Sequence, residues 1–327
     1  MKFLIITVDT EEDWFDKQHN RITAITGLDF LQEVCAKYDM IPTYLINYVM
    51  ATHDDAIAVI KNYLDEGQCE VGHHLHIWNT PPFENRNSYG VDEKWIGGLQ
   101  SEIPDDLFYK KMAALHEAIE KNYGIRPTSH RAGKWAIDNR TLQWLAKNNY
   151  LVDSSVCPYL SWTHAKGIND YIKTDTYYAP NAPYYPDAKD LTKKAIINEN
   201  PINILEVPVT GIGGDVLSKI NVKGIDRLRL TLNKLGYPGV KNMSFRPSDT
   251  ELPFGVFQKV AHCIFQSDIS FINFMFHSNE LTLGTSPYSM TKDRFETLRK
   301  NITFVLKTAK EYGVKGITLS QVPALYN

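Results

Sequence analysis

The chain reads as an α/β protein whose seven or eight mostly parallel strands close into a barrel. Short apolar runs alternate with amphipathic stretches from end to end, the pattern of parallel strands covered by helices. The number of strand–helix units favours closure over an open sheet. A length of 327 residues suits a barrel with insertions, a fold of typically ~250 residues and often more. A third observation concerns chemistry: several apolar runs end directly in carboxylates or imidazoles. That arrangement is unfavourable unless the polar groups find partners, and strand ends gathered at one mouth of a barrel make an active site.

Taken in order, Phe3–Val8 is an apolar strand, and Thr26–Asp39 follows with Leu28, Leu31, Cys35 and Tyr38 at helical spacing. Ile41–Ile46 is the next strand. Asp54–Glu66 is a helix opened by an aspartate and closed by Gly67. Cys69–Gly72 is a strand. Asp105–Tyr123 is a long helix with Phe108, Met112, Leu115 and Ile119 on one face and Gly124 as its stop. Thr128–Arg131 (strand), Asp138–Asn148 (helix) and Tyr150–Asp153 (strand) come next. Asn203–Val207 is a strand, followed by helices near Ile225–Leu235 and at Glu251–Gln266. Phe271–Phe276 is a strand, Arg294–Tyr312 a helix stopped by Gly313, and Gly316–Leu319 closes the series. The whole chain, 1–327, is expected to be one barrel domain with insertions near 80–105 and 157–200. The second is rich in Tyr and Pro. Loops this long are usually functional, and exposed aromatic rings suit the C–H faces of a sugar; the same tyrosines could equally pack the insertion together.

Composition excludes several classes. A net charge of -3 provides no basic field for nucleic acid. No stretch of about 18 apolar residues could cross a membrane as a helix. The N-terminal apolar run is too short for a signal-peptide core and meets acidic residues at once, so a cytoplasmic enzyme is expected. Cys35, Cys69, Cys157 and Cys263 are widely spaced with no CxxC pair, and read as buried free thiols. The oligomeric state is open.

The strand ends supply the candidate chemistry. The first carries Asp9, Glu11, Glu12 and Asp13, the third His73, His74 and His76, the fourth Arg131, the fifth Asp153, and a late one His277. Positions i and i+2 of an extended chain face the same way. Asp9 can therefore share a face with Glu11, and His74 with His76, while His73 points away and reads as structural. Two imidazoles and a carboxylate with open positions are the usual ligands of a catalytic divalent metal. Part of the acidic run could instead be a solvated turn, and Asp153 is open between site and scaffold.

These motifs resemble those of the polysaccharide deacetylase family, also called the NodB-homology or carbohydrate esterase 4-like fold. Thr7-Val8-Asp9-Thr10-Glu11 stands where that family has Thr-Phe-Asp-Asp-Gly, and Glu70-Val71-Gly72-His73-His74-Leu75-His76 stands at its histidine motif. Arg131-Ala132-Gly133-Lys134-Trp135 looks like a variant of its arginine motif, and Phe276-His277-Ser278 matches its last. The phrases Asp-Thr-Glu-x-Asp-Trp, His-Leu-His-x-Trp and His-Ser-x-Glu-Leu look closest to members found in bacterial surface-glycan loci. The resemblance implies a distorted (β/α) barrel and metal-dependent removal of an N-acetyl group from an amino sugar. It implies Asp9 as base, Arg131 as its orienting cation and His277 as acid, with Asp153 added at the site. A divalent metal, zinc by expectation, would sit on Glu11, His74 and His76. The substrate would be a glycan, a lipid-linked oligosaccharide or a nucleotide sugar. Two departures stand out: Thr10 replaces the family's second aspartate, where Glu11 or Asp13 could take over, and Trp78 occupies the second histidine position, with His76 the nearest substitute. Alternatives are a metal-independent amide or cyclic-imide hydrolase of the same fold, a barrel glycosidase with paired carboxylates, and a non-catalytic glycan-binding barrel.

Overall fold

A computed structural model describes the chain except for residues 16–17, 162–165, 170, 172, 197–201, 214–241, 249–253 and 327. Eight parallel strands form one sheet. They are β1 (Phe3–Thr10), β2 (Pro42–Ile46), β3 (Glu70–Leu75), β4 (Ser129–Ala132), β5 (Val152–Asp153), β6 (Leu205–Glu206), β9 (Phe271–His277) and β10 (Lys315–Ile317). β1 lies between β9 on one side and β2 on the other, and β10 fills the start of the β2 side, beside Phe3–Ile5. From β2 the order runs β3, β4, β5, β6. The helices between them are α1 (Leu28–Lys37), α2 (Tyr48–Thr52), α3 (Asp54–Asp65), α4 (Asp105–Tyr123), α5 (Asn139–Lys147), α6 (Phe254–Gln266), α7 (Lys292–Glu311) and α8 (Val322–Leu325).

Among the described residues no regular ladder joins β6 to β9. Individual backbone bonds bridge the seam: Thr210 N donates to Asn273 O (3.1 Å), and Met275 N donates to Phe245 O (3.2 Å). These residues flank a small antiparallel ribbon, β7 (Gly211–Gly213) with β8 (Asn242–Ser244), which the sequence pattern did not reveal. The expected helix near Ile225–Leu235 lies outside the described residues, as do the first residues of the one expected at Glu251–Gln266. The stretches after Leu75 and after Asp153 contain only short 3-10 turns and isolated bridges among the described residues, as their composition predicts.

Parity sorts the side chains. On β1, Leu4, Ile6 and Val8 join the large apolar cluster under the helices. Ile5 and Phe3 meet Leu45, Val152, Leu205 and Val207 in a second cluster inside the barrel, closed below by Ile317, Leu319 and Val322. The floor is pinned by polar bonds: Leu319 N donates to Thr43 Oγ1 (2.9 Å), and Ser320 N to Glu70 Oε2 (3.0 Å). The next inward level is polar. Asn273 Oδ1 accepts from Thr7 Oγ1 (2.8 Å), and Asn273 Nδ2 donates to Ser154 Oγ (2.9 Å). The interior is narrow here: a Cβ on Gly72 would stand 2.2 Å from Ser129 Oγ. All four cysteines are buried and free.

Candidate active site

Three strands run further than their apolar stretches. β1 continues through Asp9 to Thr10, β3 through His73 and His74 to Leu75, and β9 through His277. Strand geometry therefore holds these polar groups, and register decides which of them meet. Asp9 pairs with His277, and His74 with Arg131. All four face the barrel mouth.

Arg131 is the anchor. Its guanidinium is wholly buried and donates to Asp9 Oδ1 (2.6 Å), Thr7 Oγ1 (2.8 Å), Ser154 Oγ (2.8 Å) and Ser154 O (2.7 Å). Burial works against an Asp9 carboxylate, but the charge and hydrogen bond of Arg131, with the charge of His277, outweigh it and hold its pKa at about 2. Asp9 Oδ2 faces His74 Nε2 and His277 Nε2, each at 3.9 Å. Those distances exceed a hydrogen bond and suit one bridging oxygen.

On one side lies a cluster of metal-ligand type. Glu11 Oε2 is 3.1 Å from His76 Nε2 and 3.9 Å from His74 Nε2. One donor atom from each residue lies within 4.8 Å of the other two. At bond lengths near 2.0–2.2 Å, the donors of a tetrahedral zinc site lie roughly 3.3–3.6 Å apart, so the set fits a divalent ion. His74 Nδ1 lies 2.9 Å from Arg131 O. The carbonyl can only accept, so Nδ1 carries the proton and Nε2 presents its lone pair. Burial keeps this imidazole neutral, with a pKa of about 3. Burial also raises Glu11, and His76 and His277 only partly counter it.

His76 is held from behind. Trp78 stacks on it (4.3 Å, 26°) and donates from Nε1 to Glu12 Oε1 (3.2 Å). Glu12 Oε2 accepts from Asn47 (2.5 Å) and Asn79 (3.0 Å), and Glu12 lies 3.8 Å from His76 Nδ1. The loop beyond is tied down by the buried Lys111, which donates to Thr80 O (2.6 Å) and Pro82 O (2.7 Å).

Opposite stands His277. Its Nδ1 is 2.7 Å from Glu280 Oε1, which also accepts from Arg246 (3.2 Å). Burial disfavours the imidazolium, but the Glu280 bond and the carboxylates of Glu11 and Asp9 raise its pKa overall. Trp14 meets the ring edge-on at 5.8 Å. The mouth therefore offers an ionised carboxylate between a cluster of metal-ligand type and an imidazole backed by Glu280.

Known structures share this framework. A candidate glycoside hydrolase/deacetylase from Parabacteroides distasonis aligns over 99% of this chain and 71% of its own, with a TM-score of 0.64 and 13% identity. A candidate polysaccharide deacetylase from Mycobacterium smegmatis aligns over 99% and 90%, with a TM-score of 0.53 and 14% identity. The chain has the polysaccharide deacetylase fold. A 4-alpha-glucanotransferase from Thermococcus litoralis also aligns, over 100% of this chain and 41% of its own, with a TM-score of 0.52 and 10% identity. No protein-family model and no curated protein matches the sequence.

Within this deacetylase fold, Asp9, Glu11, His74, His76, Arg131 and His277 converge on the mouth. Asp153 does not. It pairs in register with His130 and Glu206, on the opposite face from Arg131 and His74. Its Oδ1 is 2.5 Å from His130 Nδ1 and accepts from Ser155 Oγ (2.8 Å). Sharing a site with Asp153, the buried Glu206 is pushed well above the usual carboxylate range, by burial first. Thr10 likewise faces away, its hydroxyl donating to Val8 O (3.0 Å), and Asp13 accepts from Ala24 N (2.9 Å), away from the ligand cluster. Of the acidic run, Glu11 alone joins the ligand cluster. Glu12 and Glu280 are the supporting residues that sequence reasoning undervalued. Glu280 had a signal: three residues after His277, it caps the 3-10 turn Ser278–Glu280 through His277 N (3.2 Å). Glu12 had none, since its partners come from the turn between β2 and α2 and from the loop after β3.

Proposed function

We propose that this protein hydrolyses the N-acetyl amide of an amino sugar with a divalent metal, zinc by its donor set, in surface polysaccharide assembly. One observation carries the reading: an Arg131-bound carboxylate, Asp9, stands between the Glu11–His74–His76 cluster and a carboxylate-backed imidazole, His277.

Glu11, His74 and His76 would hold the metal, which when bound supplies Lewis acidity toward the acetyl carbonyl and toward water. Asp9 takes a proton from the attacking water as its oxygen forms a bond to the acetyl carbon. Arg131 keeps Asp9 ionised and fixes Oδ1, leaving Oδ2 for the proton. His277 Nε2 gives a proton to the amide nitrogen as the C–N bond breaks. Glu280 holds the Nδ1 proton, so Nε2 is the atom that cycles. Acetate and the free amine leave.

Incubation with acetylated amino sugars, with acetate measured before and after chelation and after metal is restored, tests the reading. Acetate release lost on chelation and regained with zinc supports it. Full activity in metal-free protein would favour a metal-independent amide hydrolase, and reducing sugar without acetate would favour a glycosidase.

A further inference from the structure

The outer face of the barrel carries a buried polar cluster that takes no part in the chemistry at the mouth. Asp153 is its centre, with His130, Ser155 and Glu206 around it, all out of solvent. A carboxylate in that layer is unfavourable unless its partners are complete. The way the β4–β5 ladder ends shows what these partners do. Paired residues stop at His130 and Asp153, and Ser154 N still donates to His130 O (2.9 Å). A parallel ladder would continue with Ala132 N donating to Ser154 O. Ala132 N donates instead to the Ser155 hydroxyl (2.8 Å). That hydroxyl donates in turn to Asp153 Oδ1 (2.8 Å), and Ser155 N donates to Asp153 Oδ2 (3.1 Å).

A side-chain hydroxyl thus stands in for one rung, and the Ser154 carbonyl is left for another donor. It accepts from Arg131 Nε (2.7 Å). The Ser154 hydroxyl accepts from Arg131 Nη2 (2.8 Å) and donates to Val207 O (2.8 Å). Asp153 is braced in its turn. His130 Nδ1 lies 2.5 Å from Oδ1, and Val207 N donates to Asp153 O (2.8 Å). Val156 N donates to Glu206 Oε1 (3.0 Å), which ties the chain beyond Ser155 to β6. His130 and Ala132 flank Arg131, and Asp153 and Ser155 flank Ser154. The outward residues of both segments are therefore joined on either side of the two inward residues that meet.

From this geometry we infer that Asp153 is a positioning residue for the site. Through the Ser155 hydroxyl it ends the ladder one rung early and delivers the Ser154 carbonyl to Arg131. It so fixes, from the far side of the barrel wall, the guanidinium that holds Asp9. This assignment rests on the deacetylase reading for the task of Asp9, while the hold on Arg131 does not depend on that reading.

Ser155→Ala tests this, because it removes the hydroxyl and leaves the His130–Asp153 contact in place. Ala132 N should then close onto Ser154 O and draw that carbonyl from Arg131. In isotope-labelled protein the Arg131 Nε–H NMR resonance, identified by its absence in Arg131→Lys, reads the change directly. Its hydrogen exchange should become at least tenfold faster. The kcat for acetate release should fall at least tenfold with KM within twofold, and Ser155→Ala should cost nothing further in an Arg131→Lys background, as expected of groups that act as one unit. Asp153→Asn, whose amide nitrogen cannot accept from Ser155 N, should act in the same direction. An unmoved Arg131 Nε–H in both variants overturns the inference. So does a loss of kcat that simply adds to that of Arg131→Lys, or a lowered denaturation midpoint with the resonance and kcat of the parent, the mark of a scaffold residue. Faster exchange in variants of a parent that releases no acetate would sustain the hold on Arg131 and sink the deacetylase reading.

Discussion

At the level of single residues, two charged pairs give the mouth its polarity. Arg131 holds Asp9, and Glu280 holds His277. Replacing His277 by Ala should lower acetate release by about 10²–10⁴-fold, the usual worth of a general acid, with glycan binding retained; unchanged turnover would remove His277 from that role. Glu280→Gln removes the negative charge that favours the imidazolium. The His277 pKa should fall, and the alkaline limb of kcat/KM should move to lower pH. A pH–rate profile decides, and an unmoved alkaline limb would detach Glu280 from the acid. Arg131→Met strips a buried carboxylate of its cation, which should destabilise the fold by roughly 3–5 kcal/mol, read as a lower denaturation midpoint. The sign of the pH effect follows from the depressed pKa of Asp9, about 2 in the folded protein. Its contribution is fully present above the ordinary carboxylate value and fades as pH falls toward 2. Arg131→Met should therefore flatten the acid side of the stability profile.

At the level of elements, the site depends on close approach between the ends of β3 and β4. A Cβ on Gly133 would stand 2.2 Å from Leu75 O and 2.7 Å from His76 Cδ2. Gly133→Ala must push His76 or its strand aside. Metal affinity should fall about 10–100-fold, the range seen when ligand-orienting groups are lost, while circular dichroism stays native. Undisturbed metal binding would mean that His76 is not a ligand. Beyond Gly133 the chain makes a strained turn, with Lys134 at φ 53 and Trp135 at φ 60, which lays the Trp135 ring over Arg131. Strain of this kind collects at functional sites.

For the molecule as a whole, a bound metal would link β1 to β3 across the mouth, because Glu11 follows the first strand and His74 and His76 come from the third. Zinc at about 100 times its Kd should add about 2.7 kcal/mol to stability, seen as a rise in the thermal midpoint that chelation reverses. A midpoint indifferent to zinc would leave the Glu11–His74–His76 cluster as a polar network only. The rest of the barrel is built to stand without it. Its floor is apolar, closed by Leu319 and Val322, and its middle layer is a hydrogen-bonded set of Thr7, Arg131, Ser154 and Asn273.

Local pattern determined much of this protein. Alternation of strand and helix, the inward parity of Asp9 and of His74, and an imidazole at the end of Phe271–His277 are properties of consecutive residues, and each is legible in the chain. Parity also marked His73 as facing outward, where its Nε2 meets Met112 O (3.2 Å). What sequence could not supply was the relative register of strands far apart in the chain. Asp153 ends an apolar strand as Asp9 does, yet its pairing with His130 rather than Arg131 turns it to the outer face. A shift of one residue reverses a side chain's destination, and hydrogen bonding between neighbouring strands sets that shift. The placing of Glu11 rather than Asp13 beside His74 and His76, and the backing of His76 by Glu12, likewise depend on contacts between distant segments. Identity and spacing named the reactive groups; tertiary packing decided which of them share one volume.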